Sequence, residues 1–244
     1  MEHLRRGSVL RISPPFLVAF LSLRHIFHEL HEFGHMATGR LLCGAWGSRD
    51  FNNVSPIVAQ CIETDTIGLL TGMAGPSFNY CMIWIGTILI RKTKTAAGLA
   101  WGLTLIFASL PFARLFTVVI GGGDEMGIAR TYIADPIVAR GTAIVAVAAI
   151  IAYPLYTALR VFSGAKHGAL YFLGFLVLPM LLEGAIVLFF FNYLLKLGIG
   201  DQLWFMGSPI LVSMVLLFAS IVFTFSARNI VLLMETKPDT ALGE

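Results

Sequence analysis

Charge is scarce in this chain of 244 residues. Only 13% of positions are Asp, Glu, Lys or Arg and 57% are hydrophobic, whereas a soluble domain carries about 25% charged residues. With a mean hydropathy of +0.81, the composition excludes an ordinary soluble globule and reads as an integral membrane protein of one domain. The net charge of +3 is too small and too dispersed to suggest a nucleic-acid partner. Cysteine is scarce as well: there are three, and no C-x-x-C pair occurs. Cys81 sits in an apolar run. Cys43 and Cys61 bracket a polar loop and would pair if it faced an oxidising compartment; two ordinary thiols are the equal alternative. Internal repeats and low-complexity tracts are also absent.

What is present is a series of apolar runs. A spanning helix needs about 20 mainly apolar residues, and the sequence predicts an all-α, polytopic transmembrane bundle of about six such helices. The first starts at Pro14-Pro15, where proline suits a helix start, and ends near Leu42. A polar loop over 43–65 follows. The next runs cover Thr66 to Ile90, Ala96 to Ile120, Pro136 to Phe162, Gly168 to Leu197 and Leu203 to Leu233. This divides the chain into a basic tail (1–13), a core (14–135), further helices of the same bundle (136–234) and a polar tail (235–244). Arg5, Arg6 and Arg11 precede the first apolar run as they would in a signal peptide. No small-residue cleavage site follows, and cleavage after Phe27 would remove or cripple a histidine cluster, so the segment reads as a retained anchor.

Lys and Arg concentrate on the cytoplasmic side of membrane proteins. With the N-terminus inside, Arg5, Arg6, Arg11, Arg91, Lys92, Lys94, Arg160, Lys166, Arg228 and Lys237 share that side, ten residues in all. Arg40, Arg49, Arg130, Arg140 and Lys196 make five on the other side. The bias predicts both termini in the cytoplasm.

The first apolar run contains His31-Glu32-Phe33-Gly34-His35, an H-E-x-x-H pattern. On a helix, residues four apart share a face. His31 and His35 can then hold one metal ion, while Glu32, a step round the helix, can act on a metal-bound water. Four of the six histidines lie between His25 and His35, so chance is the competing explanation. A polar cluster in hydrocarbon is costly, however, and by default functional. Arg24, His28, His31 and His35 form one stripe that should face the bundle interior. A hydrogen-bond network accounts for Arg24 and His28 as well as a catalytic role does.

A catalytic zinc usually takes three protein ligands and leaves one position for water. The third ligand must lie at the depth of the histidines, about 7–14 Å short of the first helix's C-terminal end. The third helix runs in the same direction and ends at Gly121-Gly122-Gly123-Asp124-Glu125. The glycines let backbone come close, and Asp124 can dip towards the metal; its alternative role is a helix N-cap. Glu125 and Glu183 remain open as ligands. Glu183 lies nearer mid-bilayer and fits better as the partner of Arg24 or Arg114.

The second helix contains Gly68-Leu69-Leu70-Thr71-Gly72, a G-x-x-x-G pattern that permits close helix contact. Gly75-Pro76-Ser77-Phe78-Asn79 then puts a breaker and an amide at about the histidines' depth. The expectation is a broken helix, tolerated where it lines a wet cavity. Asn79 either satisfies freed backbone groups or holds a substrate strand or a developing oxyanion.

In this order, the His31–His35 motif, Gly75 with Asn79, and Asp124 after a third helix resemble the site-2 protease family of intramembrane zinc metalloproteases over about residues 15–135. The third motif departs from the family's Leu-Asp-Gly, and Pro111 lies far ahead of Asp124. The resemblance implies Zn²⁺ held by His31, His35 and Asp124, Glu32 as the catalytic base, and Gly75 and Asn79 at a membrane-embedded peptide substrate. It also implies a site near the cytoplasmic face, whereas the charge count puts loops 43–65 and 121–135 outside. Trp46 and Phe51 are expected either to dock substrate or, more simply, to anchor the loop at the interface. The other classes are a metal-binding protein without proteolytic activity and a transporter with a histidine-lined pathway.

Overall fold

The structure, a computed structural model, describes residues 8–55 and 65–236. Cys61, Arg5, Arg6 and the polar tail from Lys237 onward lie outside the described residues. The chain is an all-α bundle with two minimal strand pairs. In order it forms β1 (Ser8–Leu10), α1 (Pro14–Cys43), β2 (Ser48–Arg49), β3 (Val54–Ser55), α2 (Asp65–Lys92), α3 (Ala96–Ala108), α4 (Pro111–Val119), α5 (Asp124–Tyr132), α6 (Pro136–Phe162), α7 (Gly168–Glu183), α8 (Asn192–Lys196), α9 (Ile210–Ser226) and β4 (Met234–Thr236). A π-helical stretch, Gly184–Phe191, joins α7 to α8, and a 3₁₀ stretch, Ala227–Leu233, leads from α9 into β4.

Five segments are long and apolar enough to cross a membrane: Thr66–Lys92, Ala96–Val119, Pro136–Phe162, Gly168–Lys196 and Ile210–Leu233. This is the pattern of a multi-pass membrane protein. Their outward faces are apolar, with Leu170, Phe189, Phe218 and Phe225 exposed. The first helix is as long as these, at 30 residues, but carries Arg24, Glu29, Glu32 and Arg40. It solves that problem by position. It packs against α2, α3, α7 and α9, and Arg24, Glu29 and Glu32 are all buried, as charged groups in such a helix should be.

Local chemistry sets the boundaries of α1. The Ser13 hydroxyl accepts from the Phe16 amide, Pro14 opens the first turn, and Gly44, with φ 76°, closes the last turn by donating to the Arg40 carbonyl. The N-terminal half of α1 contributes Phe16, Phe20, Leu23 and Phe27 to a core shared with Leu103, Phe107, Phe162 and Phe175. The rings of Phe107, Phe162 and Phe175 meet at 5.5–5.8 Å between centroids, the separation of favourable aromatic pairs.

The break in the second helix is a correction. The helix α2 runs unbroken through Pro76, although proline removes one backbone hydrogen bond. The broken helix is the third. Ser109 and Leu110 separate α3 from α4, and Leu110 is left-handed at φ 47°. The physical cause is Pro111, which disfavours helical geometry in the residue before it. The last helix also starts later than expected, at Ile210. Leu203 bridges Pro209 across a short turn with Met206 at φ 52°.

Candidate metal centre

His31 and His35 lie one turn apart on α1 and face α2. At Gly34 a β-carbon would stand 3.2 Å from the backbone of Ala74, so the two helices approach closely there. Gly75 is buried beneath both imidazoles. A β-carbon there would come within 2.8 Å of His31 and collide with His35 Nε2. Only glycine leaves room for the two rings. Its place in the fold is the floor under the histidines.

The His35 Nδ1–H donates to the Thr71 carbonyl at 2.7 Å. That bond fixes the tautomer and turns the Nε2 lone pair inward. His35 Nε2 stands 3.3 Å from His31 Nε2. Asp124 completes the group, with Oδ2 3.2 Å from His31 Nε2 and Oδ1 3.7 Å from His35 Nε2. These three residues are the group of metal-ligand type among the described residues. A tetrahedral ion bound at about 2.0–2.1 Å holds its ligand atoms about 3.3–3.4 Å apart. The two nitrogens stand at that spacing and the Asp124 carboxylate lies beside both, so the three groups could hold a cation; two histidines and a carboxylate are a donor set that metal sites use.

Asp124 reaches this point because α4 ends in Gly121, at φ 86°, and Gly123, at φ 82°. Both are backbone conformations that favour glycine. Asp124 and Glu125 then open the first turn of α5. Asp124 stands outside the spanning helices. Burial pushes its carboxyl up, but the hydrogen bonds with His31 and His35 and the Arg114 charge outweigh that and hold it well below the ordinary range.

Both rival ligands are engaged elsewhere. Glu125 takes Arg114 on each oxygen, at 2.9 and 2.6 Å, and the Tyr80 hydroxyl at 2.5 Å. Glu183 lies at the other end of the cavity, 3.7 Å from Arg24, 3.6 Å from His25 and 3.8 Å from His28. Of its two expected partners it therefore has Arg24; Arg114 serves Asp124 and Glu125.

A cavity of about 480 Å³ runs from the metal ligands to that second cluster. His31, Glu32, Asp124, Asn79 and Arg114 line one end, and Arg24, His28 and Glu183 the other. Glu32 also lines an adjoining pocket with His35, Asp124 and Thr71. Asn79 is buried with its Oδ1 unpartnered.

Several residues of the site carried no sequence signal. The hairpin of β2 and β3 lies over the cavity, and Asn52 and Asn53 line it. Arg49, counted above only as a cation on the side away from the cytoplasm, is buried on Glu29 at 2.5 Å and on the Ser208 hydroxyl at 2.8 Å. Phe51 is neither a docking residue nor an anchor. It is 0% exposed, packs with Val187 and Val212, and stacks on Phe191 at 5.0 Å. Its carbonyl accepts from His28 Nε2 at 2.5 Å, and its amide donates to Asn192 Oδ1 at 3.2 Å. Asn192 Nδ2 donates to Asn52 Oδ1. His28 thus belongs to a structural network. Trp46 is half-buried and stacks on Phe33. Cys43 is disulfide-bonded and Cys81 is free.

No family model matches the chain, and neither a curated protein nor a solved structure matches it.

Proposed function

We propose that this protein is an intramembrane zinc metalloprotease of the site-2 protease type, hydrolysing peptide bonds of membrane-embedded substrates. The observation that carries the reading is the convergence of His31, His35 and Asp124, their ligand atoms within 4.8 Å of one another, on a cavity that Glu32 also lines, among apolar helices. His31 Nε2, His35 Nε2 and the Asp124 carboxylate would hold the ion. Zinc bound there would supply Lewis acidity towards a water and a peptide carbonyl. Glu32, on the wall of the same cavity, would accept a proton and deliver it to the leaving amine. The Asn79 amide, on the cavity wall, orients the unwound substrate backbone. Substrate must unwind because helical carbonyls are engaged in hydrogen bonds.

The charge bias supports cytoplasmic termini. Burial of Arg49 on Glu29 removes one cation from the opposing count, which sharpens the asymmetry.

The test is Glu32→Gln in full-length protein reconstituted with a synthetic transmembrane peptide. Zinc content should stay at the wild-type level while cleavage stops; unchanged cleavage would refute the assignment. A second reading, a metal transporter, is favoured by Arg24, His28 and Glu183 lining the same cavity. Zinc flux into proteoliposomes that persists in Glu32→Gln, without any peptide cleavage by the wild type, selects it.

A further inference from the structure

Two carboxylates stand side by side at the start of α5, and both are within reach of Arg114. They are not treated alike. Arg114 Nε donates to Glu125 Oε1 at 2.9 Å and Nη2 to Glu125 Oε2 at 2.6 Å. This is the two-pronged pairing that a guanidinium makes best. The Tyr80 hydroxyl, from α2, adds a third donor to Glu125. Asp124 receives a single bond, from Nη2 to Oδ2 at 2.8 Å, and its Oδ1 stays free of Arg114. Glu125 is therefore saturated and tied to Tyr80, while Arg114 holds Asp124 by Oδ2 alone, with that oxygen 3.2 Å from His31 Nε2 and the free Oδ1 3.7 Å from His35 Nε2.

We propose that Arg114, with Tyr80, is a positioning device that selects Asp124 over Glu125 as the third metal ligand and fixes the orientation of its carboxylate. The inference rests on the reading of His31, His35 and Asp124 as a metal centre; it does not depend on proteolysis. The physical need is clear. Two neighbouring carboxylates compete for one cation, and an unrestrained Glu125 would enter the coordination shell and close the open position. A partner that orients a ligand affects metal affinity by about 10–100-fold. Lysine keeps the charge of Arg114 but, as a point donor, cannot hold both Glu125 oxygens and one of Asp124.

The test uses full-length protein in detergent, with zinc affinity measured by chelator competition and the site geometry read from the visible spectrum of the Co²⁺ form at saturation. Wild type should give the intense bands of tetrahedral Co²⁺. Arg114→Lys should bind zinc about 10–100-fold more weakly and give a weaker, higher-coordinate spectrum. Arg114→Lys combined with Glu125→Gln should recover the tetrahedral spectrum, because the competing carboxylate is gone. A merely structural arginine would change melting temperature without changing the spectrum at saturation, and that result overturns the proposal. If Arg114→Lys does not fold, Tyr80→Phe takes its place: a several-fold loss of zinc affinity supports the device and an unchanged affinity overturns it. Full metal content in Asp124→Ala would overturn the metal centre itself, and the selection with it.

Discussion

The two ends of the cavity along α1 are both buried and polar, yet they are held in different ways. At the His31 end the groups meet through short, directed contacts: 2.7 Å from His35 to Thr71, 2.8 Å from Arg114 to Asp124 and 2.6 Å from Arg114 to Glu125. At the Arg24 end, Glu183 Oε1 lies 3.6–3.8 Å from three nitrogens and accepts a hydrogen bond from none of them. The first arrangement fixes atoms in place. The second balances charge and leaves position loose. A site that must hold an ion at about 2.0–2.2 Å needs the first kind, which the side chains at the His31 end have and the carboxylate of Glu183 lacks.

The comparison breaks most sharply at the ligands. His35→Ala or Asp124→Ala should abolish stoichiometric metal binding, measured as metal content of purified protein. The same measurement on Glu183→Ala should match wild type. Next in size is Arg49→Ala, which leaves Glu29 buried without its cation. It should cost about 3–5 kcal/mol, read as a fall in melting temperature, and loosen the hairpin over the cavity. Gly75→Ala should cost about 1–3 kcal/mol by overpacking and displace both imidazoles, so metal affinity should fall more than stability does. Replacing the loose pair together, Arg24→Met with Glu183→Leu, should stay within about 1 kcal/mol of wild type, because a buried pair exchanged for apolar groups is often neutral. A loss as large as that of Arg49→Ala would remove the distinction between tight and loose clusters.

The smallest effect concerns acid. Asp124 has a lower pKa folded than unfolded. The stability it contributes is therefore present above its unfolded value, about pH 4, and is lost as pH falls below that. The melting temperature of metal-free wild type should fall more steeply between about pH 4 and pH 2 than that of Asp124→Asn.

The helix pattern and the chemical motif were readable because both are local. His31, Glu32 and His35 sit within five consecutive positions, and helical spacing alone aligns them. Asp124 was reachable from rise per residue and the glycines before it. The partners brought together from afar were not. Arg49 meets Ser208 across 159 positions, and Phe51 meets Asn192 across 141. No periodicity records such pairings, so Arg49 looked like a loop charge and Phe51 like a surface aromatic. Proline misled for a related reason. Pro76 and Pro111 are equal as letters, but only Pro111 follows a residue that the bundle lets leave the helix.

The pairing of β1 with β4 sets a rule of parity. Ser8 lies opposite Thr236 and Leu10 opposite Met234 in one antiparallel pair, so the two ends of the described chain meet on one face of the bundle. A chain that leaves a membrane on the side where it began has crossed an even number of times. Hydropathy alone finds five crossings, which is odd. An even number requires a sixth span, and α1, at 30 residues, has the length for it, its buried charges keeping it below the apolarity of the other five.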